Sequence, residues 1–402
     1  MAFAIFVIIT SSVLGYWLYQ RFGYKSAITI CYALAFYYCN SVLLDLVFSS
    51  DSTLQVADLR IRISLDRRAF YMASLCYLIF FISYFGIFYF SKSSVLRTSD
   101  FRSKVSNLRF NKFITLVSGA LLLYFTVSAF GLSRFEKKSN NGGIELFISW
   151  FCLLFWCYKF QNSKELSFGD KLLTLIVLVY SVYSFEREPI FFILLNFLFR
   201  IKKKISTVKL VGLACLAIVI FAYWKPFYNA VLLRGNVSDF YLMTQAKTFQ
   251  FSSLDPLSSF TLIYDYFDSS PYIYEDAYFS YFTGPFKHTA RMLGDRDILS
   301  LSETAKTYYT NDEYGMAFSM ILESLLNFSF LGPAIVAILF FLLYTTLKKY
   351  FISYGFTIDI ILIMFMLTFV RSEVMVVIKV FLIPACVFLI VTRMLHSRIV
   401  RA

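Results

Sequence analysis

Long apolar runs alternate along this chain with short charged turns, and the lengths of the runs predict membrane-spanning helices. A spanning helix needs about 20 mainly apolar residues. Suitable runs occur at Ala2–Tyr19, Ser26–Phe48, Ala69–Phe90, Phe113–Gly131, Gly143–Phe160 and Leu210–Trp224, and again at Phe330–Leu347, Phe356–Val370 and Val374–Val391. Between Leu172 and Phe199 the apolar pattern is interrupted by Glu186-Arg187-Glu188-Pro189. One continuous helix there would bury three charges at mid-depth, which costs several kcal/mol. Two short helices meeting at a tight turn avoid that cost. The expectation is therefore an all-α polytopic integral membrane protein with about eleven transmembrane helices.

With that count the charges sort by side. Arg21/Lys25, the bases between Lys92 and Lys112, Lys159/Lys164/Lys171, the Arg200–Lys209 cluster, Lys348/Lys349 and Arg393/Arg398/Arg401 all fall on one face. The positive-inside bias makes that face cytoplasmic. The N-terminus is then outside and the C-terminus inside. The turns at Asp51–Arg68, Arg134–Asn141, Glu186–Glu188 and Arg371–Glu373 lie outside, with Arg60, Arg62, Arg67 and Arg68 running against the bias. Met1–Tyr19 has no basic leader and no clear small-residue cleavage site, so it reads as a first span; a cleaved signal peptide is the weaker reading.

The exception to this rhythm is Lys225 to about Asn327, a stretch of mixed polarity placed outside. It divides the chain into an N-terminal bundle (1–224, about eight helices), a large extracytoplasmic loop (225–328) and a C-terminal set (329–402, about three helices). Asp255-Pro256 caps a short amphipathic piece, Ser269-Ser270-Pro271 ends it, and Gly284-Pro285 breaks the chain again. Phe286–Leu293 forms a helical turn or two with His288 and Arg291 on one face. Met316–Phe328 is apolar apart from Ser319, Glu323 and Asn327, a polar stripe at four-residue spacing. Such a helix lies at the interface or re-enters the membrane, with its stripe facing a cavity.

Composition agrees with the pattern. The 402 residues are 59% hydrophobic, 20% aromatic and 16% charged, with a formal net charge of +13. In a soluble protein that charge would suggest nucleic acid; here the bases sit in turns between apolar runs, so no nucleic-acid partner is expected. The seven cysteines all fall within apolar runs and read as small core residues, neither a disulfide framework nor a metal site. No phosphate-binding Gly-rich loop, Gly-x-Ser-x-Gly elbow, His-Glu-x-x-His or Cys-x-x-Cys occurs, which sets aside nucleotide-driven pumps and the common hydrolases.

Several residues are candidates for chemistry. Arg187 is held at the outer boundary by helices too short to project it into water, near the depth of a lipid phosphate; the structural alternative is a turn arginine paired with Glu186 or Glu188. Arg371-Ser372-Glu373 repeats the pattern, with a snorkelling anchor as its alternative. Arg234 sits at similar height, and a guanidinium grips two phosphate oxygens at once. His288 has a pKa range suited to a general base, though a lone loop histidine is more often an ordinary surface residue. Glu323 is either a functional carboxylate or the partner of a loop arginine. Asp295-Arg296-Asp297 has the look of a metal-binding pair of acids, but its arginine opposes a cation. Lys379 and Asp45 lie within spans, where such residues usually face a cavity or a partner.

Three stretches carry a resemblance to a known family. They are Phe185-Glu186-Arg187-Glu188-Pro189 opening a short apolar helix, Gly315–Ser319 leading through Glu323 to Asn327-Phe328 and Leu331-Gly332, and Arg371-Ser372-Glu373 before the final helix. Together with the layout they resemble the Wzy-type O-antigen polymerases, the bacterial oligosaccharide repeat-unit polymerases, and more distantly the O-antigen ligases. Ser329 stands where that family has glycine after Asn-Phe.

The resemblance implies a GT-C-like fold in the bacterial inner membrane with its large loop in the periplasm. It implies transfer of a growing glycan from polyprenyl diphosphate onto the terminal sugar of another lipid-linked repeat unit, without cofactor or metal. Arg187, Arg234, Arg371 and Arg291 would stabilise the diphosphate leaving group. His288 or Glu323 would be the base, and the loop tyrosines, among them Tyr264, Tyr272 and Tyr281, would stack on sugars. Besides the lipid-linked donor and acceptor and membrane lipids, a chain-length regulator and a flippase are the partners implied. An O-antigen ligase and a non-enzymatic transporter of lipid-linked glycans are the competing readings. Transporters commonly show paired repeats and broken helices at mid-membrane, whereas this chain has one dominant outer loop.

Overall fold

A computed structural model of the chain describes residues 2–48, 53–56, 61–64, 67–91, 108–128, 134–163, 166–183, 187–201, 212, 319–351, 354–372 and 377–400. The described residues form helices α1 (Ala2–Phe22), α2 (Ala27–Phe48), α3 (Arg67–Phe90), α4 (Leu108–Ser128), α5 (Arg134–Asn162), α6 (Phe168–Tyr183) and α7 (Arg187–Arg200). After the loop come α8 (Met320–Phe328), a 3-10 turn at Ser329–Leu331, α9 (Gly332–Tyr350), α10 (Phe356–Arg371), a π-helical turn at Ile378–Leu382 and α11 (Ile383–Val400). Apart from Gly212, the predicted span at Leu210–Trp224 and the loop as far as Phe318 lie outside the described residues.

Among the described residues three helices are long and apolar enough to cross a membrane: Ala2–Phe22, Tyr71–Phe90 and Gly332–Tyr350. Ala27–Asn40, Lys112–Ser128, Phe356–Val370 and Ile383–Met394 are shorter apolar segments. A soluble amphipathic helix would turn a polar face outward. Here Phe6, Ile9 and Val13 on α1, Leu116 and Val127 on α4, and Leu339 and Leu342 on α9 are exposed, so the helices are apolar outside as well as inside. That is the surface of a membrane-embedded helical protein.

The chain folds into two compact units. Among the described residues the first contains α1, α2, α3, α8, α9 and the end of α10; the second contains α4 to α7, the start of α10 and α11.

In the first unit, α1 ends at Gly23, whose φ of 75° is open to glycine at little cost, and Gly23 N–H donates to the Tyr19 carbonyl at 2.8 Å. Ser26 then caps α2 through the Ile28 N–H. The chain turns back twice. Phe3 stacks on Tyr71 at 4.4 Å, and at the far ends Arg21 lies 4.8 Å from the Tyr89 ring and donates to the Ser91 carbonyl, so α1 and α3 run in the same direction. Along α3, Tyr84 meets Phe340 and Phe88 meets Tyr344, so α9 also follows α3. Lys348 and Lys349 therefore lie toward the same end as Arg21. Phe365 and Phe369 of α10 pack on Phe340 and Phe80, which runs α10 the opposite way and brings Arg371 to the other end. Each such aromatic pair contributes about 1 kcal/mol beyond its burial. Polar groups inside this unit are used across helices. Tyr84 donates to the Ile28 carbonyl at 3.0 Å, Tyr32 to the Ser11 carbonyl at 2.7 Å, and Asn40 Nδ2 to Ser11 Oγ at 3.1 Å.

The second unit bears directly on the interrupted segment at 186–189. Arg200, at the C-terminal end of α7, donates to the Phe160 and Ser163 carbonyls beside the start of α6 and lies 4.5 Å from the Phe160 ring. α6 and α7 thus form a hairpin whose two basic ends meet, as the sequence predicts. The same end holds a capping box at the start of α6. Asp170 N–H donates to Ser167 Oγ at 3.3 Å, and Ser167 N–H returns to Asp170 Oδ2 at 3.2 Å. Lys159 completes it, donating to Asp170 Oδ1 at 2.5 Å and to Thr115 Oγ1 at 2.6 Å. Burial pushes the Asp170 carboxyl up, but the hydrogen bonds from Lys159 and Ser167 and the ammonium charge outweigh it and leave it below its ordinary 3.8.

Three local expectations are corrected. The predicted turn at Asp51–Arg68 contains an antiparallel hairpin, Thr53–Val56 with Ile61–Ser64, whose register pairs Leu54 with Ile63 and Val56 with Ile61. Arg134–Asn141, expected as a turn, is the first part of the 29-residue α5. The segment contains no proline, and the helix continues through Gly142-Gly143. The last span opens with a π-helical turn because Pro384 has no N–H to donate one turn back and its ring crowds the carbonyl there.

Gly332 allows the α8–α9 turn. A Cβ there would sit 2.0 Å from the Ser324 carbonyl oxygen, a backbone atom that cannot swing aside. Gly332→Ala should destabilise the protein by at least about 3 kcal/mol, seen as a lower thermal midpoint and folded yield in detergent. Gly86→Ala, where nothing lies within 4 Å, should match the parent; equal behaviour of the two variants would contradict the packing. Because the Asp170 carboxyl is lowered on folding, its contribution is complete above its unfolded value and is lost as pH falls below about 3.8 through the folded value. Asp170→Asn should lower the thermal midpoint at neutral pH and flatten this acid limb; a wild-type slope in the variant would show the ion pair to be inert.

Candidate functional site

The residue among the predicted candidates whose side chain the structure describes is Glu323. It lies in the first turn of α8, where the helix macrodipole favours an acid, and it is 1% exposed. Nine residues are too few for a helix to persist alone, so tertiary contacts set its position. Ser319 caps it: the Ile321 N–H donates to Ser319 Oγ at 3.3 Å and the Glu323 N–H to the Ser319 carbonyl at 2.8 Å. The preceding donor crosses to another element, Met320 N–H to the Ser372 carbonyl at 3.1 Å. From α3, Cys76 Sγ reaches the Ile321 carbonyl at 3.2 Å, and Ser324 Oγ joins it at 2.6 Å.

This arrangement brings two of the three family-like stretches together. The Met320–Ser372 bond sets the turn carrying Glu323 against the end of α10, whose last residue is Arg371. Both belong to the first unit, at the end opposite Arg21, Lys348 and Lys349. α8 is also buried from Met320 to Leu325, and Ser319 and Glu323 of the polar stripe face protein. α8 packs against α9 and α3.

Arg187 opens α7 in the second unit, about 20 Å along the helix from Arg200. It therefore occupies the end of that unit opposite the Lys159 and Arg200 cluster, and Glu188 and Pro189 follow it in the first turn. Of Arg187, Arg371, Asn327, Lys379 and Asp45 the structure describes the backbone. His288, Arg234, Arg291, Asp295-Arg296-Asp297 and the loop tyrosines lie outside the described residues. Among the described residues no group of three or more His, Cys, Asp or Glu side chains gathers as a metal site.

Two contributors to the site were not singled out from sequence. Cys76 has a spacing common to every core position of α3 and carries no distinguishing signal. The Ser372 carbonyl is a backbone group, invisible to side-chain reasoning, although its place after Arg371 was marked. Comparison with protein-family models, curated proteins and solved structures finds no match.

Ser319→Ala should cost about 1 kcal/mol through loss of the cap, and Ser319→Thr, which keeps the hydroxyl, should recover most of it. Thermal unfolding of the purified full-length protein checks this, and an Ala variant as stable as the parent would remove the cap from the account.

Proposed function

We propose that this protein is a glycosyltransferase that polymerises polyprenyl-diphosphate-linked oligosaccharide repeat units at the periplasmic face of the bacterial inner membrane. The observation that carries the reading is the Met320–Ser372 hydrogen bond, which joins the turn bearing Glu323 to the end of the helix bearing Arg371. It unites a buried carboxylate and a cationic helix end on the side away from the basic termini. The positive-inside bias makes that side the outer one.

The chemistry follows from the donor. Its leaving group is already an anionic diphosphate, so departure from the anomeric carbon needs cations more than a proton. In the first unit Arg371 supplies a guanidinium group, with Arg291 of the loop as a further ligand; Arg187 and Arg234 are the candidate cations of the second unit. The acceptor sugar hydroxyl attacks the anomeric carbon and loses its proton to Glu323, with His288 as the other candidate base. The glycosidic bond forms as the bond to the diphosphate oxygen breaks. Neither nucleotide nor metal enters this scheme.

The test is surface polysaccharide from a strain lacking the gene, complemented with the parent or variants. Arg187→Ala and Glu323→Gln should export single repeat units and lose the long-chain ladder. Lipid-linked units retained inside would instead mean a transporter. Unattached polymer with a bare lipid core would mean a ligase.

A further inference from the structure

Resting on the proposed role of Glu323, a further assignment concerns what holds that carboxylate in place. α8 has nine residues, and two hydrogen bonds to other elements grip its first turn. On one side the Met320 N–H is bonded to the Ser372 carbonyl at 3.1 Å. On the other, Cys76 Sγ is bonded to the Ile321 carbonyl at 3.2 Å, across 245 positions of sequence. Cys76 is 0% exposed and Ile321 is 0% exposed, so water does not compete for either group. A single tether would let a short helix pivot about it. Two tethers on consecutive residues, one from α3 and one from the end of α10, fix both its depth and its rotation.

We propose that Cys76 is a positioning residue for Glu323. Its thiol is the donor that ties the carboxylate's turn to α3, a long helix braced by the aromatic contacts to α9 and α10. A thiol is a weak donor of modest size, so serine conserves the bond, valine conserves the bulk without it, and alanine conserves neither. Buried thiols otherwise act as small apolar fillers, and that role predicts the opposite ranking, with valine tolerated and serine penalised.

The experiment complements a strain lacking the gene with Cys76→Ser, Cys76→Val, Cys76→Ala and Glu323→Gln. Long-chain polysaccharide is quantified on gels per unit of folded protein, taken from monodisperse detergent-extracted full-length chain and its thermal midpoint. Cys76→Ser should stay within about twofold of the parent, while Cys76→Val and Cys76→Ala fall at least about tenfold at unchanged folded amount, because a displacement near 1 Å at a reacting group is that costly. Val retaining polymer while Glu323→Gln loses it would overturn the positioning role and leave the proposed site standing. Losses that merely track the folded amount would also overturn it, assigning Cys76 to packing. Glu323→Gln retaining polymer would overturn the site reading itself, and with it this inference.

Discussion

A helix of nine residues cannot hold itself in place, and everything proposed for this protein depends on how α8 is held. Its first donors have no partner within the helix, and in a bilayer an unsatisfied N–H costs several kcal/mol. The fold meets that demand with the Ser319 cap and with the Ser372 carbonyl at the end of α10. Satisfying the backbone is thus the same event as bringing Glu323 to the Arg371 end. Gly332 supplies the remaining condition, since only a residue without Cβ fits 2.0 Å from the Ser324 carbonyl oxygen.

The rest of the molecule obeys the same accounting. Tyr32 and Tyr84 reach across to helix carbonyls, and Arg200 takes the carbonyls at the end of α5, so polar tips inside the bundle are spent on bonds between elements. Arg21, Lys348 and Lys349 share one end of the first unit, and Lys159 and Arg200 share one end of the second. Each candidate described lies at the opposite end of its own unit.

Much of this was legible in the sequence because lipid imposes a simple rule, that a spanning segment be apolar for its whole length. α1, α3 and α9 follow from run length alone, and the break at Glu186–Pro189 follows from the cost of burying charge. The Thr53–Ser64 hairpin escaped because its strands are four residues each, too short to separate from a charged turn. Arg134–Asn141 escaped because a polar helix and a polar turn look alike in composition, although Ser133-Arg134-Phe135-Glu136 has the spacing of a capping box. Glu323 was legible from its stripe, since spacing reports a helix face. Cys76 was not, because one apolar-compatible residue in an apolar helix leaves no periodic trace, and neither did the Ser372 carbonyl.

The central claim is that Glu323 is a buried carboxylate on a short helix fastened to the end of α10. An electron cryomicroscopy map of the full-length protein in lipid nanodiscs tests it most directly. The account predicts the Met320 N–H within hydrogen-bonding reach of the Ser372 carbonyl, with the Glu323 side chain inside the protein. A map showing α8 lying on the membrane surface, with Glu323 against lipid headgroups and away from Arg371, would contradict it.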